Sequence, residues 1–203
     1  VVTTALLQTT YFGPVQWYQK LFRYDHCLIE QYDSFQKQTY RNRCVIATAN
    51  GVQALTVPVE HSDEKMLVKD LRISDHNQWR RVHWNALQSA YSESPFFEYY
   101  ADDLHPFFEQ KYTFLVDFNE NIRQKICELI DIQPSVSYTS DFSHHTSDIT
   151  DFRDIIHAKH PQSDLDFAPK AYWQVFQHKH GFLPNLSILD LLFCMGSESV
   201  FYL

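Results

Sequence analysis

Asp190 places a carboxylate inside LSILDLLFCMG, the most apolar run of the chain, where a bare charge costs several kcal/mol unless it is paired or hydrogen-bonded. Ser187-Ile-Leu-Asp190 also fits a helix-capping box, and the two readings, cap and buried proton-handling anchor, are compatible. Arg43, in TYRNRCVI, offers a planar fork for a phosphate or carboxylate, or else lies on a solvated strand. Alternation turns Arg41 and Arg43 to one face and Asn42 to the other. His83 stands beside Val82 and one turn from Trp79, so it is a satisfied, partly buried imidazole or a general acid and base. Cys44 next to Arg43 is either a thiolate nucleophile stabilised by a cation or a buried structural thiol.

Other chemistries find less support. His144, His145 and Asp148, with His157 and His160 after them, match no established zinc spacing, so no metal is assigned. No G-x-S-x-G elbow occurs. The aromatic pairs Tyr11-Phe12, Trp17-Tyr18 and Tyr172-Trp173 suit stacking on a sugar or base, or core packing. Only 4 glycines occur in 203 residues, too far apart for G-x-G-x-x-G or a P-loop, so any phosphate is held by side chains and the cofactor is left open. A net charge of −8 argues against nucleic-acid and anionic-membrane partners and leaves a small-molecule partner. Cys27, Cys44, Cys127 and Cys194, widely spaced, read as free thiols in a reducing compartment, hence a cytoplasmic chain without membrane spans.

The elements that must position these groups are legible in the pattern. Residues 2–9 and Cys27-Leu28-Ile29 read as strands, with a helix opening at Pro14 between them. NRCVIATA and VQALTVPV flank Asn50-Gly51 and predict a hairpin with a type I′ turn, followed by a strand near VKDLRIS. Amphipathic helices are predicted over 75–91, 96–108 with a break at Pro106, and 113–130. SVSYTS predicts a strand, 149–157 a short helix, and the last apolar run a buried helix. The sum is one α+β domain over 1–203: strand-rich to 74, helical over 75–131 and mixed thereafter, with a mixed N-terminal sheet and hairpin packed against several helices.

The segments TYFGPVQWYQKLFRYDHCLIEQYDSFQKQTYRNRCVI, ALTVPVEH and FLPNLSILDLLFCMG, in that order, resemble the WbqC-like protein family. Longer members carry a glycine- and tyrosine-containing segment where this chain has HHTSDITDFRDIIHAKHPQSDLDFAPKAYW. The resemblance implies a bacterial, cytoplasmic protein acting on an activated or modified sugar of surface-polysaccharide synthesis. It also implies that Tyr11, Gln16, Asn42, Arg43, Ser187 and Asp190 converge. In that reading Arg43 binds an anion, Asn42 and Gln16 orient polar groups, Tyr11 and Trp17 stack, and Asp190 or His83 moves protons during group transfer to an amine or hydroxyl. The alternative is a non-catalytic module that recruits a sugar intermediate or a partner enzyme.

Overall fold

The computed structural model describes residues 1–60, 65–142 and 147–203, so His144 and His145 lie outside the described residues. The architecture is mixed α+β in a single compact domain, with two sheets, one of four parallel strands and one of two antiparallel strands. β1 (Thr4–Gln8), α1 (Val15–Arg23) and β2 (His26–Glu30) form a parallel crossover unit. Parallel neighbours cannot be joined by a tight turn, and α1 supplies the connection. β5 (Val136–Tyr138) adds beside β2 and β6 (Ile149–Asp151) beside β1, giving the order β5-β2-β1-β6. The middle strands carry the apolar weight: Ala5, Leu6, Leu7, Cys27 and Ile29 are all buried.

β3 (Arg43–Thr48) and β4 (Gly51–Thr56) form the antiparallel hairpin. Its turn differs from the expectation. Thr48 pairs with Gly51, so Ala49 and Asn50 make the connection, and neither has the positive φ that type I′ requires. Gly51 alone bends there, at φ 111°. The strand expected near VKDLRIS is a 3₁₀ turn over Val68–Asp70, with Arg72 and Ile73 making single bridges to Phe114 and Val59. The short helix expected over 149–157 is instead β6 and a turn, because Ile149, Thr150 and Asp151 find partners along β1.

The middle helices follow the apolar stripes: α2 (Trp79–Tyr91), α3 (Phe97–Leu104) and α4 (Leu115–Leu129). Pro106 starts a 3₁₀ continuation of α3 over His105–Phe108, since its ring and missing N–H disfavour the α-helical ladder. After the short turn α5 (Gln177–His180), α6 (Ile188–Met195) is buried along nearly its whole length, as its all-round apolar sequence demands. No helix of the described residues is long and apolar enough to cross a membrane.

Candidate functional site

The residues singled out from sequence divide among separate clusters. Tyr11 and His83 are both buried: the Tyr11 hydroxyl lies 2.8 Å from His83 Nδ1, and His83 Nε2 lies 3.1 Å from the Thr56 carbonyl. A carbonyl only accepts, so Nε2 carries the proton and the Tyr11 hydroxyl donates to Nδ1. Burial pushes the His83 pKa down to about 4, with the Thr56 contact offsetting part of the shift. The imidazole is neutral and both its nitrogens are occupied.

Asp190 forms a second cluster. Its carboxylate accepts from Tyr91 at 2.8 Å, Tyr172 at 2.7 Å and Gln174 at 2.9 Å. Burial raises its pKa against these three donors. Half of the capping box is therefore realised. Ser187 caps α6 by accepting from the Leu189 amide at 3.2 Å, but the Ser187 N–H goes to the Val45 carbonyl and Asp190 turns inward to the tyrosines.

Gln16 belongs to a third, with Nε2 donating to Asp164 at 2.9 Å and Oε1 accepting from Asn185 at 3.0 Å. The buried Lys20 pairs with the same Asp164 at 2.7 Å. Trp17 donates its indole N–H to the Gln8 carbonyl at 2.9 Å, and its ring, like that of Tyr11, is fully covered, leaving no face for stacking on a sugar. Asn42 donates to the Val57 carbonyl at 2.9 Å, while Arg43 reaches outward to Thr56 Oγ1 at 3.3 Å. Arg41 does not share a strand face with Arg43. It precedes β3 and turns inward to Asp33, at 2.6 Å. Cys44 is buried and its thiol is pushed up to about 12, which removes the basis for a reactive thiolate.

A different set, missed from sequence, gathers at the carboxyl-terminal ends of the parallel strands, where open parallel sheets leave a crevice for ligands. β1 ends on Gln8, β2 on Glu30 and β6 on Asp151. Gln8 pairs with Glu30 in register, and Leu6 with Asp151, so Gln8, Glu30 and Asp151 point to one face. Arg153 donates from Nε to Asp151 Oδ1 at 3.0 Å and from Nη2 to Oδ2 at 2.7 Å, and has Glu30 at 3.7 Å. Burial works against the Arg153 charge, yet the Asp151 bonds and the fields of Asp151, Glu30 and Asp33 outweigh it and raise its pKa. Asp33 holds Arg41, whose backbone carbonyl accepts from Asn119, and Asn119 also donates to Thr9 at the end of β1. His157 stands at the rim, its pKa lowered by burial and then by His160 and Arg41. The sequence signal for this set is modest: TALLQ and HCLIE each end an apolar run on a polar residue, while ITD carries no such run.

The amino terminus of α1 is not an open anion site. The Val15 amide donates to the Leu186 carbonyl and the Gln16 amide to the Asn185 side chain, so the C-terminal segment occupies it. Among the described residues no group of three or more His, Cys, Asp or Glu side chains is placed to hold a metal.

The profile of the WbqC-like protein family matches residues 8–163. An uncharacterized protein of Mycobacterium tuberculosis is 27% identical over 222 aligned positions, covering 98% of this chain and 96% of the relative. No solved structure matches significantly.

Proposed function

We propose, from the premise that this chain belongs to the WbqC-like protein family, that it acts on a sugar or sugar-nucleotide intermediate of bacterial surface-polysaccharide synthesis by group transfer. The observation that carries the reading is the buried ionisable set at the ends of β1, β2 and β6. Glu30, Asp33 and Asp151 supply carboxyl groups able to accept a proton from an attacking hydroxyl or amine, and Arg41 and Arg153 supply forks for an anionic donor. Asn42, beside Arg41 and with a buried Oδ1 that finds no partner among the described residues, is retained as a polar orienting group. Trp17 ties α1 to the end of β1 through the Gln8 carbonyl, while Asp190, His83, Tyr11, Gln16 and Ser187 serve in the separate networks described above. Arg43, at the outer side of the hairpin, remains a candidate only for a large anionic substituent. We place the reaction in the cytoplasm.

The test is a thermal-shift screen against sugar nucleotides and free sugars, since a ligand of the folded state raises the midpoint by mass action. The expected result is stabilisation by at least one of them, lost in Arg41→Met and Arg153→Met but retained in Arg43→Met. A ligand whose effect survives both inner arginine substitutions places binding elsewhere and overturns the site.

A second reading, recruitment of a neutral saccharide without catalysis, is favoured by one observation. Between the hairpin turn and α2 lies an open cavity of about 400 Å³ whose charge-free lining mixes the amides and hydroxyls of Thr48, Asn50, Gln53, Asn85 and Ser89 with three alanines and the ring of Phe176. Under this reading Phe176→Ala abolishes glycan binding and Arg153→Met does not.

A further inference from the structure

Gln16, Gln19 and Lys20 stand at helical spacing on one face of α1, and all three are buried, Lys20 to 1% exposure. A buried ammonium is costly unless it is paired. Its partner comes from far along the chain: Lys20 Nζ lies 2.7 Å from Asp164 Oδ2, an oxygen that also accepts from Gln16 Nε2 at 2.9 Å. Gln19 Nε2 donates to the Asp166 carbonyl at 2.8 Å. The segment that supplies these acceptors, residues 161–171, is neither helix nor strand, and all of it except Asp164 and Phe167 is exposed. It is a strap fastened to α1 mainly by polar groups. Another solute carrying the same group can make the same bonds, which apolar packing would not allow.

Access is provided as well. A cavity of about 270 Å³ opens beside the ion pair, lined by Thr3, Gln19, Lys20, Arg23, Tyr24 and Asp166. Lys20 is thus buried yet borders open space, and Arg23 adds a second cation to the same wall. An ammonium has three N–H donors; Asp164 and Gln19 Oε1, each at 2.7 Å, take two, and the third meets no oxygen among the described residues. When the strap lifts, Asp166 leaves with Asp164, and the wall that remains carries two cations and the amide donors of Gln16 and Gln19. That set suits an anionic group made of acceptors only, the kind that Asp164 itself presents. With Thr3 ahead of β1 and Tyr24 after α1, the cavity lies at the opposite end of β1 from Gln8.

We propose that this face of α1 binds the carboxylate of a small organic molecule seated in the adjoining cavity, and that Asp164 is the built-in competitor such a ligand displaces. The inference goes beyond the group-transfer reading and does not depend on it.

The probe is sodium D-glucuronate, titrated into ¹⁵N-labelled wild-type protein at fixed pH and ionic strength beside D-glucose, sodium phosphate and sodium chloride. Glucuronate is expected to move the side-chain amides of Gln16 and Gln19 and the backbone amides of Leu165 and Asp166, and to speed trypsin cleavage after Lys170; the other three solutes leave both unchanged. Asp164→Asn removes the competing charge at constant shape and should bind glucuronate about tenfold more tightly, because apparent affinity scales with the fraction of molecules whose site is free. Lys20→Met in the Asp164→Asn background leaves no unpaired buried charge and should bind none. Equal shifts with glucose or phosphate overturn the carboxylate assignment. A response confined to Asp164→Asn makes the ion pair purely structural and overturns the site, as does silence in both proteins. Unchanged affinity in Asp164→Asn overturns the competition, and undiminished binding in the double variant overturns the role of Lys20. The wild-type titration decides by itself where a variant loses the native spectrum.

Discussion

Gly13 is spared a side chain because Thr10 stands where one would go: a Cβ built there would meet Thr10 Oγ1 at 2.4 Å and Thr10 Cβ at 2.8 Å. Gly13→Ala is therefore expected to cost about 1–3 kcal/mol by overpacking, read from denaturant midpoints. Thr10→Gly in the same chain should recover part of that loss, because the two residues are in contact and their effects couple. His83 makes a pH prediction with a definite sign. Its folded pKa of about 4 lies below the ordinary 6.5, so the unfolded chain binds the proton more readily. The stabilisation is fully present above pH 6.5 and is lost as pH falls from there toward 4. It amounts to about 3 kcal/mol at roughly 1.4 kcal/mol per unit. Urea melts across that range should show the fall, and His83→Gln should flatten it; an unchanged slope would mean that other groups dominate.

At the scale of elements, Ser187 joins two jobs that are separate in most helix caps. It accepts from Leu189 at the start of α6 and donates to the Phe12 carbonyl at 2.7 Å, tying α6 to the loop between β1 and α1. An exposed cap contributes about 1 kcal/mol. Ser187→Ala also leaves the Phe12 carbonyl buried without its donor, so about 2–3 kcal/mol is expected in chemical unfolding, against about 1 kcal/mol for a cap alone. Much at this scale was legible. Pro14 opened α1, the paired β-rich runs made the hairpin, and the stripe of Phe118, Ile122 and Ile126 buried one face of α4. The failures share a physical cause. Ile149–Asp151 became a strand only because β1 offered a free edge across some 145 residues of sequence, and local periodicity carries no record of such a partner. Arg41 was misassigned for the same reason: its face is set by Asp33 in a preceding loop and not by alternation along β3. The sheet-edge set depends on register between three strands, so its convergence could not be read from any one of them, whereas Asp190 announced itself by being charged within an apolar run.

Across the whole molecule the parallel sheet, the hairpin and the helices share one continuous core, into which all four cysteines are built as free thiols. Burial raises each of them above the usual thiol range, Cys27 and Cys44 to about 12 and Cys127 to about 11, with nearby groups modifying the shift. Only the thiolate reacts with an alkylating agent, so at neutral pH the folded protein offers it almost none. Iodoacetamide is thus expected to label none of the four in the native state and all four in denaturant. These residues sit on different elements, Cys27 in β2, Cys44 in β3, Cys127 in α4 and Cys194 in α6. Their labelling rates at low denaturant therefore report how the molecule opens. If the core is one cooperative unit, the four rates rise together with the global unfolding curve; if Cys194 labels ahead of Cys27, α6 opens first. The hydrogen bonds from Val15 to Leu186, Ser187 to Val45 and Ile188 to Gly13 stitch that C-terminal segment to both the crossover unit and the hairpin, which argues for simultaneous labelling. Cutting one stitch, as Ser187→Ala does for the bond to Phe12, should then bring the Cys194 rate forward while Cys27 still follows global unfolding.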